Sequence, residues 1–228
     1  MARARYGIAL FIALSFATAP VVSPLPSGTS RAEALRPVSA GRVQALVPNG
    51  WEVQMIGSSD THRIGFKASA SLDEWKATKG RAQGIEAYWV DAADVGVPTD
   101  YYYLAARGPA ARRLAARADC RSTGRRVLLD DRPRFDRRID SPGNYVATAT
   151  GTCRSSESVT RWASFVAAPG FGPVRKLGIP ESGLYYVLVV VDDGPRAKDR
   201  MGRLLESVSF GGTAVSDFLR VAATGGQR

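Results

Sequence analysis

A chain of 228 residues, 45% of them hydrophobic, can bury a real core and suits one domain of about 180–190 residues with loose ends. Its formal charge of +10 is carried by 26 arginines against 5 lysines, scattered along the chain as a GC-rich coding sequence scatters them. Spread that way, the charge is no ground for a nucleic-acid partner, which needs a clustered basic patch.

Arg3 and Arg5 open the chain, and Gly7 to Ala19 (GIALFIALSFATA) follows as an uncharged, mostly apolar run of 13 residues. That is the length of a signal-peptide core and short of the roughly 20 residues a spanning helix takes. Ala17-Thr18-Ala19 and Ala32-Glu33-Ala34 offer small-residue cleavage sites. The expected division is a signal peptide and leader over 1–34, a linker over 35–41, one folded domain over 42–223 and a disordered tail over 224–228. Val21, Val22 and Leu25 extend the apolar run, so the alternative is an N-terminal membrane anchor. Either way the domain is expected outside the cytoplasm, secreted, periplasmic or at the cell envelope.

In the domain, Val43 to Val47 and Trp51 to Met55 alternate across Pro48-Asn49-Gly50, which predicts a hairpin. Arg63 to Ala68 and Ile85 to Val90 read as strands, with a short helix over Leu72 to Lys79 between them. Thr99 or Asp100 can cap a helix start, and Tyr101 to Ala118 has helical character broken at Gly108-Pro109. Strands return at Val127 to Asp130, Tyr145 to Cys153 and Thr160 to Ala168, followed by a long loop over 169–180. Leu184 to Val191 is apolar on both alternating faces and rich in β-branched and aromatic residues, the pattern of a central strand covered on both sides. Gly194-Pro195 predicts a turn and a first helical position. Ala197, Met201, Leu204, Leu205 and Val208 then share one helix face, with Gly202 marking close packing on the sheet. Val215 to Ala223 predicts a terminal helix.

Strands, helices and more strands joined mostly by short turns define an α+β fold, an antiparallel sheet of about six to eight strands packed with helices. The Val47-Pro48-Asn49-Gly50-Trp51 segment that opens the domain, and the closing strand and helix that end in Ser207-Val208-Ser209-Phe210, resemble the first and last elements of PsbP-like domains. In bacteria these are small exported or lipid-anchored α/β/α sandwiches. The resemblance covers the two ends of the chain and not the arginine-rich middle from Pro98 to Asp140. It implies a non-enzymatic accessory or ligand-binding role and carries over no functional residue.

Cys120 and Cys153 are the only cysteines, and an even count in an exported chain predicts a disulfide. A redox pair or a metal site fits less well, since there is no Cys-x-x-Cys and only His62 could join them as a ligand. No metal or cofactor is expected. His62 lies in a polar loop with no Gly-x-Ser-x-Gly elbow to accompany it, and Asp130-Asp131 and Asp192-Asp193 suit turn and cap chemistry better than a carboxylate pair. A hydrolase is therefore the last of the readings, and the chain is read as no enzyme. The first is binding through an arginine surface of Arg112, Arg113, Arg117, Arg121, Arg125 and Arg126. A helix continued through Arg113, Arg117 and Arg121 would align those three on one face. Its anionic partners would be an envelope polymer, lipid headgroups or an acidic protein. The alternative is a small-molecule or lipid pocket between the Tyr101, Tyr102 and Tyr103 helix and the sheet.

Overall fold

The computed structural model describes residues 33–58, 63–91, 114, 117–130, 145–156, 158–168 and 183–225. Among them run strands β1 (Leu35–Ala40), β2 (Val43–Pro48), β3 (Glu52–Ser58) and β4 (Arg63–Ser69), helix α1 (Leu72–Ala77), and strands β5 (Gly84–Asp91), β6 (Cys120–Asp130), β7 (Tyr145–Arg154), β8 (Val159–Ala168) and β9 (Gly183–Asp192). Helix α2 (Ala197–Glu206), the two-residue strands β10 (Ser209–Phe210) and β11 (Thr213–Ala214), and helix α3 (Val215–Gly225) complete the order. The strands form a seven-stranded sheet, β3-β4-β5-β9-β8-β7-β6, and a four-stranded sheet, β1-β2-β10-β11. Every pairing is antiparallel. This is the expected α+β architecture, and β9 takes the central place that its two apolar faces require.

Alternation along β9 divides the core in two. Tyr185, Val187, Val189 and Val191 face a cluster closed by Leu204 and Val208 from the α2 segment, by Phe210, and by Val215, Phe218 and Ala222 from α3. Leu184, Tyr186, Leu188 and Val190 face a second cluster with Trp75 of α1, Tyr88, Trp162 and the cysteines. Helices therefore lie on both faces of the large sheet.

Four expectations are corrected. Leu35–Ala40 is no linker but a strand, paired along its whole length with β2 across a tight turn at Gly41, whose φ of 57° suits glycine. The Pro48-Asn49-Gly50 turn accordingly joins no hairpin, because it carries the chain out of the small sheet to β3 at the edge of the large one. A turn signal fixes a change of direction and leaves the pairing partner open. Pro195 precedes the helix rather than starting it, since α2 begins at Ala197 after Arg196. A Cβ on Gly202 would meet nothing within 4 Å, so that glycine marks no close contact.

The two end motifs meet in the small sheet. Phe210 and Ser209 pair with Val43 and Gln44 of β2. The Ser207 hydroxyl accepts from the Leu46 N–H at 3.2 Å and donates to the Leu204 carbonyl at 2.8 Å. Trp51 is buried beneath Arg200, whose guanidinium lies 5.9 Å from the ring centroid.

Candidate functional site

A cavity of about 280 Å³ opens between α1 and the second face of the large sheet. Its floor is one cross-strand row: Lys67 of β4 faces Glu86 of β5, and Glu86 faces Leu188 of β9. Leu114, fully buried, supplies a wall. The roof is Trp75 with Lys76, Lys79 and Gly80.

Local sequence fixes that roof. Ser71 caps α1 by accepting from the Glu74 N–H at 3.2 Å, and the Glu52 carboxylate accepts from the Leu72 N–H at 3.0 Å. Aspartate and glutamate fill the first turn, where the helix dipole favours them. The helix ends through Lys79 and Gly80, both left-handed at φ 54° and 81°, while the Gly80 N–H donates back to the Trp75 carbonyl at 2.8 Å. The indole of Trp75 requires glycine at position 84 and packs in ordinary contact with Gly80. A Cβ on Gly84 would stand 2.4 Å from the ring, and one on Gly80 would stand 3.4 Å from it. Trp75 therefore reaches down to the sheet, and the lysines around it stay at the rim.

Charge is unevenly held. Glu86 is only 6% exposed, and its Oε1 lies 3.9 Å from Lys67 Nζ. Lys76 Nζ stands 4.0 Å from Asp73 Oδ1, one helical turn away on an exposed face, a contact of little strength in water. For Lys79 no carboxylate partner is found among the described residues. It also holds a left-handed backbone that costs a non-glycine residue about 1 kcal/mol.

Asp119 braces the rim. Its carboxylate binds Arg81 Nη1 and accepts from Arg117 Nε at 3.2 Å, while Arg81 Nε donates to the Thr78 carbonyl at 3.0 Å. Burial opposes the ionised form of Asp119. The Arg117 hydrogen bond, its own backbone N–H and the charges of Arg81 and Arg117 outweigh burial and hold the carboxyl below its ordinary value. The next residue is Cys120, joined to Cys153 by a disulfide. The two cysteines lie directly opposite each other on β6 and β7, with Cα atoms 4.0 Å apart. Backbone bonds step from Leu114 to Arg117 at 3.2 Å and from Arg117 to Cys120 at 3.1 Å, so the bridge anchors the segment that carries the cavity wall.

The expected disulfide is thus present. The arginine set is dispersed: Arg112 and Arg113 lie outside the described residues, as does the side chain of Arg125. Arg117 is engaged by Asp119 in a turn. Arg121 and Arg126 are exposed on β6, so no helix continues to Arg121, which lies instead in an eleven-residue outer strand, longer than the Val127 to Asp130 run expected. Two register shifts in β6 hide its alternation. Tyr101, Tyr102, Tyr103, His62 and Asp131 lie outside the described residues. Asp193 does serve a turn, accepting from the Gly194 N–H at 3.0 Å and binding Arg161. Among the described residues no three His, Cys, Asp or Glu side chains are grouped to hold a metal, and no helix is long and apolar enough to cross a membrane.

Sequence reasoning took Leu72 to Lys79 as a helix and missed its role. The available signal was composition: three of the chain's 5 lysines, Lys67, Lys76 and Lys79, line this one cavity.

No protein-family model and no curated protein matches the chain. Among solved structures it is similar to the solution structure of cyanobacterial PsbP (CyanoP) from Synechocystis sp. PCC 6803. Identity is 13%, over 82% of this chain and 99% of that one, with a TM-score of 0.41. The architecture described above stands on the chain's own strand pairing.

Proposed function

We propose that the protein is a non-catalytic binding domain that works outside the cytoplasm, at the cell envelope or beyond it, and that its ligand sits in the cavity beside α1. The observation that carries this reading is the cavity itself. Its apolar surfaces are Leu188 on the central strand β9, Trp75 on α1 and Leu114, and its charged groups converge on the same space. The disulfide supports the location, since such bridges persist where thiols oxidise. So does the apolar run at Gly7 to Ala19, read as an export signal.

Titration with anilinonaphthalene sulfonate, followed by its fluorescence, tests the site. Wild-type protein is expected to bind the dye saturably at one site. Leu188→Phe fills the floor, and Lys76→Trp obstructs the mouth from an exposed helix position without touching the core; each is expected to weaken binding at least tenfold. Equal dye binding by wild type and by a folded Lys76→Trp protein would overturn the reading.

A further inference from the structure

The rim and floor of the cavity differ in chemistry, and that difference defines the ligand. Among the described residues three ammonium groups and a single carboxylate line it. The carboxylate, Glu86, is buried and placed beside Lys67, so one positive charge is already committed to the sheet. Lys76 and Lys79 are left at the mouth. Lys76 has only a fully exposed partner, Asp73, and Lys79 none among the described residues. Composition does not account for this placement, because arginine outnumbers lysine 26 to 5 along the chain, yet the basic lining residues among the described ones are all lysines. Lysine offers a compact point charge on a flexible stem, where arginine offers a planar fork. A cavity of about 280 Å³ has room for the former beside a ligand and lies at the small end of ligand sites.

Resting on the site proposed above, we propose that the ligand is a small amphiphilic anion. Its apolar body would lie against Trp75 and Leu188, and one carboxylate, sulfonate or phosphate group would be held at the lip by Lys79, with Lys76 beside it. The anion forms charge-assisted hydrogen bonds for which Lys79 has no carboxylate partner among the described residues. Trp75 and Leu188 exclude water from the same contact and so strengthen it. A neutral ligand of the same shape would leave the lip cations solvated and gain only the floor.

Two dyes that differ in the sulfonate alone separate this inference from the site itself. Anilinonaphthalene sulfonate is expected to bind at least tenfold more tightly than neutral N-phenylnaphthylamine. Lys79→Ala is expected to cost the sulfonate about tenfold and to leave the neutral dye within twofold. The sulfonate's affinity should fall as salt rises, with the neutral dye unaffected. Equal affinity for both dyes, or a Lys79→Ala protein that binds the sulfonate as wild type does, would overturn the ligand class while the cavity remains a site. Dye binding unaltered by Lys76→Trp would overturn the site. Competition then identifies the apolar body: displacement by naphthoate points to a ring-bearing acid and by decanoate to an acyl chain. Displacement by neither carboxylate counts against the proposal.

Discussion

On one face of the large sheet Phe165, Tyr185, Phe210 and Phe218 close an aromatic cluster, with ring centroids 4.9 to 6.3 Å apart. On the other, β4, β5 and β9 present Lys67, Glu86 and Leu188 to a cavity roofed by a six-residue helix. The contrast runs through single strands: Val187 and Val189 belong to the closed face, and Leu188 between them floors the open one. Residues adjacent in sequence thus serve opposite ends. Close packing on one side supplies cohesion, which lets the other side keep a void and a buried carboxylate.

If the faces divide labour in this way, damage to the closed face should lower stability and spare binding. Phe218→Ala removes a fully buried ring from the aromatic cluster and is expected to destabilise by about 3–5 kcal/mol in urea unfolding. The folded fraction should bind anilinonaphthalene sulfonate with unchanged affinity. A parallel loss of affinity would show that the faces are coupled through the sheet.

Replacing Cys120 and Cys153 together by serine comes next in size and falls on the open face. A bridge spanning a sequence separation of 33 restrains the unfolded chain by about 3.5 kcal/mol in the chain-entropy account. Here a loss of affinity is expected as well, by a few fold, because Leu114 is held through Arg117 and Cys120. A double variant that is less stable yet binds the dye as wild type would assign the bridge to cohesion alone.

The closed face was much the more legible in the sequence. The alternation of Leu184 to Val191, and the spacing of Ala197, Leu204 and Val208, carry strand and helix signals that burial confirms. Periodicity reports which side of an element is apolar and is silent on what covers it. The pairing of β2 with β1 and β10, set by contacts between the two ends of the chain, therefore escaped it. So did β6, where Arg121, Arg125 and Arg126 break the apolar pattern on an outer strand that has no need of two buried faces. The disulfide was legible because an even cysteine count, in a chain read as exported, suffices for it. The cavity was not, because Lys67, Glu86 and Leu188 come from three separate segments and become neighbours only through strand register.

Asp119 offers the smallest and finest test of the open face, since its role is electrostatic and its sign can be worked out. Its carboxyl is held below its ordinary value, so between the folded value and the unfolded one, about 3.9, the unfolded chain binds more protons. The stability it contributes is full above the unfolded value and is lost as pH falls through the folded one. The side chain is 31% exposed, and solvent screening keeps the effect below about 1 kcal/mol. Wild type should therefore exceed Asp119→Asn in stability near neutral pH, with the gap closing as pH is lowered below the unfolded value and through the folded one. A gap of constant size across that range would mean that Asp119 braces Arg81 and Arg117 through hydrogen-bond geometry and not through charge. The rim of the cavity would then be held without help from the ionised carboxylate.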